Sequence, residues 1–119
     1  GESNQTDSGN PAPFEIRNDG TVRVNITVNA TDLWSSVANP SEYYRVRVND
    51  SSEGNCYLAS DSQTTYMDMP DSLTPTSLVR RLNFPSNCDT VQVHVNVTVP
   101  GSEGAGVKTS SVEFTAVQA

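Results

Sequence analysis

Strict alternation of apolar and polar residues is the feature that most constrains what this chain can fold into. The cleanest example is VQVHVNVTV, residues 91–99, in which every second residue is valine. Successive side chains of a β-strand point to opposite faces, so this period of two predicts an antiparallel strand with one buried face. The valines are then expected to face the core, and His94 and Asn96 to face outward.

The same period occurs in FEIRNDGTVRVNITVNATDLW, residues 14–34. A short strand with Phe14 and Ile16 is followed by Asn-Asp-Gly, and Asp19-Gly20 predicts a tight hairpin because this pair tolerates positive φ angles. A longer strand comes next. Its predicted inward residues are Val22, Val24, Ile26, Val28 and Ala30, and its predicted outward residues include Asn25 and Asn29.

Shorter segments extend the pattern. Tyr44, Val46 and Val48 are expected inward in the next strand. Residues 56–59 and 64–69 read as short strands, and 77–84 fits a strand better than a short helix. Residues 107–117 predict the last strand, with Val112, Phe114 and Ala116 inward. About seven to nine strands with this turn spacing predict an all-β antiparallel β-sandwich.

The composition agrees with one β domain. Fifteen valines against five leucines favour strands over helices. Residues 14–119 are long enough for one core, and we expect them to form a single domain. Residues 1–13 are polar and contain proline and glycine, so they predict a tail that is disordered unless a sheet edge or a neighbouring subunit holds it.

The charge balance excludes some partners. Fourteen acidic residues against seven basic ones give a formal net charge of −7. An acidic surface repels phosphate groups, so we expect neither nucleic acid nor an anionic bilayer as a partner. No apolar run is long enough to span a membrane, and no export signal is visible. We expect a mature secreted chain from which the signal has been removed.

Two features indicate the extracellular space or the cell surface. Cys56 and Cys88 predict one disulfide, with two buried free thiols as the alternative. Asn-x-Ser/Thr acceptors for glycosylation are the other feature, and they occur at Asn4, Asn25, Asn29, Asn49 and Asn96. The alternative for the asparagines is that they simply suit a solvated β face.

No catalytic constellation is visible. His94 is the single histidine, and no G-x-S-x-G nucleophile motif is present. We therefore expect no enzyme activity and no cofactor. Asp61, Asp68 and Asp71 are weak candidates for calcium, since clustered carboxylates at the ends of a sandwich offer oxygen ligands, but they lack EF-hand spacing.

The run IRNDGTVRVNITV, residues 16–28, resembles the opening strands of immunoglobulin-like domains in archaeal secreted and surface-layer proteins. The following NATDLW, and the segment from Val99-Pro100-Gly101 to Ala116, extend the likeness. A weaker resemblance is to camelysin/TasA-type fibre subunits. These resemblances imply an immunoglobulin-like, non-enzymatic sandwich at the cell surface. The fibre subunits further imply polymerisation by strand donation, although residues 1–13 lack the alternating apolar residues of a donor strand.

The sequence therefore favours a self-assembling structural subunit of an extracellular filament or surface layer, with copies of itself as partners. Edge strands can be completed by a strand from a neighbour. The residues expected to contribute are Phe14, Ile16, Val112 and Phe114.

The alternative is an adhesion module of a larger surface protein that binds glycans or proteins. Such a module would present exposed aromatic residues, for example Tyr43, Tyr57 and Tyr66. Trp34, the single tryptophan, is either a plug at the end of the core or a platform for a sugar.

Overall fold

The structure is a computed structural model that describes the backbone of Ser3–Gln5 and all atoms of residues 13–119. Eight strands are found in these residues. They are β1 (Ser3–Gln5), β2 (Phe14–Arg17), β3 (Val24–Ala30), β4 (Tyr44–Asp50), β5 (Met67–Asp68), β6 (Thr76–Leu82), β7 (Thr90–Thr98) and β8 (Val112–Gln118). The described part of the chain contains no α-helix, only a 3₁₀ turn at Ala59–Asp61.

The strands form two antiparallel sheets, which confirms the predicted all-β sandwich. In the larger sheet β4 lies between β5 and β7, and both β1 and β2 pair along the other side of β7. In the smaller sheet β3 lies between β6 and β8. Both central strands, β3 and β7, therefore belong to the two segments whose alternation is clearest in the sequence.

The core lies between the two sheets. β4 and β7 contribute valines that are completely buried, and Val46 pairs with Val95 while Val48 pairs with Val93. The smaller sheet contributes Ile26, Val28, Leu78, Val79 and Leu82. The predicted inward residues of β4 are confirmed, since Tyr44, Val46 and Val48 are buried and Arg45 and Arg47 between them are not.

The predicted hairpin at Asp19-Gly20 is wrong. β2 pairs with β7 in the larger sheet and β3 pairs in the smaller one, so residues 18–23 cross from one sheet to the other. Buried Asn18 holds this crossing, because its Nδ2 donates to Val22 O at 2.8 Å and to Leu82 O at 3.1 Å. The positive φ angles among the described glycines belong to Gly54 and Gly106, not to Gly20.

The central pairs follow an immunoglobulin-like arrangement, but the terminal strands do not. β3 pairs with β6 and β4 with β7, as strands B with E and C with F do in that fold. There, the first strand joins the B–E sheet and the last joins the C–F sheet. Here β2 lies beside β7 and β8 beside β3, so the terminal strands have exchanged sheets.

Three strand boundaries differ from the sequence-based expectation. Residues 56–59 are not a strand, and in residues 64–69 only Met67–Asp68 pairs with β4. The last strand begins at Val112 rather than Val107, whose surface is 93% exposed. Around residues 56–63, single backbone hydrogen bonds such as that from Leu58 N to Arg80 O take the place of a ladder.

The ambiguous segment 77–84 is a strand with a bulge. The register of β6 against β3 shifts between the pairs Val24–Leu82 and Ile26–Val79, which leaves Arg80 and Arg81 opposite Asn25. Arg81 has φ 57°, and its N–H donates to Asn25 Oδ1 at 3.0 Å. The bulge explains why the sequence lacks a clean period of two here.

Part of the polar tail belongs to the larger sheet. Ser3–Gln5 pairs with residues 96–98 of β7. From its sequence this tail is expected to be ordered only if a sheet edge or a neighbouring subunit holds it, and β7 is that edge. Residues 1–2 and 6–12 lie outside the described part of the chain. In the part that is described, no helix has the length and apolar character needed to cross a membrane.

Candidate functional site

One lateral edge of the sandwich is closed by residues 56–63, which we call the closed edge. Gln63 joins the two sheets there, because its carbonyl accepts from Val48 N and its N–H donates to Leu78 O, each at 2.9 Å. Leu58 N also donates to Arg80 O at 2.9 Å. The outer side of β6 is thus covered by backbone and cannot accept another strand.

The opposite lateral edge, formed by β2 and β8, we call the open edge. Within the described residues β8 pairs only with β3. Thr31 N donates to Ser111 O and Ala119 N donates to Arg23 O, so the odd-numbered residues exchange hydrogen bonds with β3. The N–H and C=O groups of Val112, Phe114, Ala116 and Gln118 therefore point away from the sheet.

The residues of β8 itself do not provide the usual protection of an edge strand. β8 contains no lysine and no proline, the residues that commonly prevent an edge strand from pairing with another strand. Ala116 and Val117 are exposed, Val117 by 56%. Glu113 is its single charged residue. A seven-residue edge of this composition is suited to pairing with another strand.

The structure brings together the four residues that the sequence assigned to assembly. Phe14 of β2 and Phe114 of β8 meet edge to face across the gap between the sheets, with their ring centroids 5.9 Å apart. Ile16 and Val112 pack against the core from the same two strands. Phe14 remains 42% exposed. Their role in assembly stays a prediction.

The end of the sandwich where β7 begins, which we call the disulfide end, holds the confirmed Cys56–Cys88 bond. Beside it, one oxygen of Glu53 accepts from Asp89 N, Thr90 N and Thr90 Oγ1 at 2.6–3.0 Å. The Thr90 hydroxyl and the Asp89 amide lower the pKa of Glu53. Burial and the nearby Glu53 charge raise the pKa of Asp89.

The other end, which we call the clamp end, is held by Glu103. Its carboxylate accepts from the N–H and hydroxyl groups of both Ser35 and Ser36 and pairs with the ammonium of Lys108. The Glu103 side chain is only 1% exposed. Lys108 first, and then the Ser36 amide and the serine hydroxyls, hold the pKa of Glu103 far below its usual range.

The clamp is a feature that sequence reasoning missed. Ser35 and Ser36 lie 68 and 67 residues before Glu103, in a different loop. Trp34, next to them, donates its indole N–H to Tyr43 O at 3.0 Å and is partly buried. Trp34 thus fastens the loop at the clamp end and is not a member of the core cluster.

The three candidate tyrosines do not form one exposed aromatic face. Tyr57 is 7% exposed and belongs to the core, where burial, followed by the charge of Asp50, raises its pKa to about 12. Tyr66 lies beneath the guanidinium of Arg47, 5.3 Å from it. Tyr43 and Tyr66 are partly exposed, so only Tyr57 is removed from the proposed aromatic surface, and an adhesion role stays a prediction.

Two residues expected on solvated strand faces are buried. His94 is 5% exposed, although its strand register places it opposite Arg47 on the outer side of the larger sheet. Asn29 is 7% exposed, and its Nδ2 donates to Ser72 O at 3.3 Å. For these two residues the expectation of an accessible side chain is wrong, because alternation assigns a face but not what covers that face.

The remaining glycosylation acceptors differ in access. Asn49 is exposed, Asn25 and Asn96 are partly buried, and the side chain of Asn4 lies outside what the structure describes. Asn25 Oδ1 accepts from Arg81 N, which leaves its Nδ2 available. Glycosylation of these residues stays a prediction.

Two of the three calcium candidates are engaged elsewhere. Asp68 forms an ion pair with Arg45 at 2.9 Å, and Asp71 Oδ1 accepts from Leu73 N. Within residues 13–119, and the described backbone before them, no group of three acidic, histidine or cysteine side chains could hold a metal ion. Asp61, Asp68 and Asp71 therefore do not form a site in this structure.

Comparisons of the chain with protein-family models, with curated proteins and with solved structures find no match.

Proposed function

We propose that this protein is a non-enzymatic structural subunit of an extracellular filament or surface layer, and that copies associate through the open edge. The observation that carries this proposal is the outer side of β8, which no other described strand covers. The Cys56–Cys88 bond supports an oxidising, extracellular location.

The composition of β8 suits antiparallel pairing with the β8 of a second copy. The outward backbone groups belong to even-numbered residues, so those residues must pair with each other. Full overlap then places Val112 opposite Gln118, Phe114 opposite Ala116, and Thr115 opposite Thr115. The large Phe114 meets the small Ala116, and a Thr–Thr pair lies at the centre, which is a favourable cross-strand pair.

This register also avoids charge repulsion at the contact, although each copy carries a formal charge of −7. Glu113 lies opposite Val117 of the second copy. The two Glu113 side chains are then about four residues, or roughly 13 Å, apart along the strands. That distance exceeds the Debye length of about 8 Å at physiological ionic strength, so salt screens most of their repulsion.

Pairing of β8 with β8 is two-fold and closes a dimer. A symmetric contact of this kind cannot extend by itself, because each copy uses the same surface once. We propose that this dimer is the repeating unit and that a second, different contact extends it into a filament or layer.

Ala116→Pro tests the role of the edge. The Ala116 N–H points away from β3, so proline removes an outward donor while leaving the β3–β8 ladder intact. We expect the wild type to form dimers or larger assemblies, measured by sedimentation and electron microscopy, and the variant to be monomeric. Ala105→Pro is the matched control and should assemble like the wild type, because Ala105 is exposed and lies in the loop before β8.

Thermal unfolding checks that Ala116→Pro remains folded. A wild type that is monomeric at high concentration would contradict the proposal, as would a folded Ala116→Pro variant that assembles normally.

One observation favours the alternative, an adhesion module of a larger surface protein. Trp34 lines a groove of about 470 Å³ at the clamp end, together with Leu33, Val97 and Val99. A partly buried indole beside apolar side chains is a surface that a sugar ring can contact. A glycan array probed with the wild type separates this role from assembly.

A further inference from the structure

A second cleft, at the disulfide end, is lined by Arg23 and Arg81. It has a volume of about 230 Å³, and its remaining lining comes from Asn55, Asn83 and the segment 56–58. This volume is below the range of about 300–1,000 Å³ that is typical of sites for drug-sized ligands. The cleft therefore suits a ligand as small as one monosaccharide.

Unlike Arg17 and Arg45, these two arginines have no acidic partner among the described residues. Arg17 pairs with Asp19 at 2.7 Å and Arg45 pairs with Asp68 at 2.9 Å. In the part of the chain that the structure describes, neither Arg23 nor Arg81 forms an ion pair. Acidic residues outnumber basic ones fourteen to seven, so two unpaired guanidinium groups in one cleft are unexpected.

The backbone that presents Arg81 is specialised. Arg81 adopts φ 57°, a conformation that residues with a side chain rarely adopt, within the bulge of β6. The Asn25 side chain fixes it by accepting from Arg81 N. A bulge changes the direction in which side chains project from a strand, and here the bulged arginine lines the cleft.

One wall of the cleft is tied to the rest of the fold by a hydrogen bond and a disulfide, and the cleft offers further donors. Asn83 N donates to Cys56 O at 2.8 Å, and the Cys56–Cys88 bond fastens the same wall. Asn83 Oδ1 accepts from Phe84 N, which leaves the Nδ2 hydrogens of Asn83 for a ligand. Guanidinium groups bind carboxylates through paired charge-assisted hydrogen bonds, and amide groups bind hydroxyls.

We propose that the cleft between Arg23 and Arg81 binds the carboxylate of an acidic monosaccharide, with Asn55 and Asn83 contacting the sugar hydroxyls. This site is distinct from the open edge and does not depend on the proposed assembly. The carboxylate is held by the two guanidinium groups, and the neutral remainder of the sugar occupies the cleft beside Leu58.

The test is an NMR titration of the folded protein with glucuronate at low salt, with glucose and inorganic phosphate as comparison ligands. We expect saturable shifts at residues 55–58 and 81–83 with glucuronate at millimolar concentration, and none with glucose. Arg23→Gln should weaken binding about tenfold, because it removes one charge-assisted contact. Arg80→Gln is the matched control, since Arg80 is exposed, carries the same charge and does not line the cleft.

Arg81→Gly separates binding from folding. Glycine tolerates φ 57° without steric cost, so the variant should unfold at the same temperature as the wild type or higher, yet bind glucuronate about tenfold more weakly. Three results would overturn the proposal: no saturable binding by the wild type, equal losses in Arg80→Gln and Arg23→Gln, or equal affinity for phosphate and glucuronate.

Discussion

The two ends of the sandwich are fastened by different chemistry. At the disulfide end a covalent bond joins residues 56 and 88, and Glu53 caps the start of β7. At the clamp end one buried carboxylate, Glu103, holds the loop after β7 to the loop after β3. The first end depends on an oxidising environment, and the second depends on the ionisation of a single group.

Removing the covalent bond should have the largest effect on stability. The bond closes a loop of sequence separation 32, and the loop-entropy relation then gives a contribution of about 3–4 kcal/mol. We expect the double variant Cys56→Ser, Cys88→Ser to lose that amount of unfolding free energy, measured by urea denaturation. Wild type treated with reductant should agree with the variant. A loss below about 1 kcal/mol would show that the disulfide end is held by its hydrogen bonds instead.

Glu103→Gln tests the other end, and its effect at neutral pH should be smaller. The pKa of Glu103 is lowered on folding, so its contribution is fully present above the ordinary value of 4.5 and is lost as the pH falls toward the folded pKa. Wild-type stability should therefore decline below about pH 4.5, and Glu103→Gln should flatten that decline.

Glu53→Gln is the matched comparison at the disulfide end. The pKa of Glu53 is also lowered, so its contribution to stability is lost as the pH falls. The pKa of Asp89 is raised, so protonation of Asp89 at low pH removes a destabilising charge and offsets part of that loss. We expect Glu53→Gln to change the slope of stability against pH less than Glu103→Gln does. Equal changes in slope would contradict the assignment of acid sensitivity to the clamp end.

The smallest expected effect is that of Trp34→Phe. This variant keeps an aromatic ring but removes the hydrogen bond to Tyr43 O, which should cost about 1 kcal/mol. Because Trp34 precedes the two serines that Glu103 holds, combining Trp34→Phe with Glu103→Gln should give a loss that is not the sum of the two. Additive losses in urea denaturation would show that the indole and the carboxylate fasten the loop independently.

The sequence predicted the central strands correctly because their side chains carry the pattern. In β4 every second residue from Tyr44 to Val48 is buried, and in β7 Val91 and Val93 are buried while Val95 and Val97 are partly buried. Both strands lie within two residues of the predicted bounds. The Cys56–Cys88 pair was predictable because the chain has no other cysteine. For the strands a local pattern was sufficient for the prediction, and for the disulfide the number of cysteines was sufficient.

Features that depend on distant residues could not be predicted in this way. Asp19-Gly20 looked like a hairpin, but buried Asn18 bonds to Leu82, 64 residues away, and directs the chain into the other sheet. The Glu103 clamp and the Arg23–Arg81 cleft likewise join segments far apart in the chain. The sequence pattern does not indicate which residues form such pairs, because the tertiary structure brings them together.

The exchange of the terminal strands between sheets has a mechanical consequence. Ser3 pairs with Thr98 at the clamp end, whereas Gln118 pairs with Val24 at the disulfide end. Tension applied between Ser3 and Gln118 would therefore run along the strands and pull β1 and β8 parallel to their neighbours. Such shear strains many ladder hydrogen bonds at once, whereas pulling a strand sideways opens them one at a time. The sandwich should therefore resist stretching along its strands, because the hydrogen bonds of two ladders, one in each sheet, bear the load together.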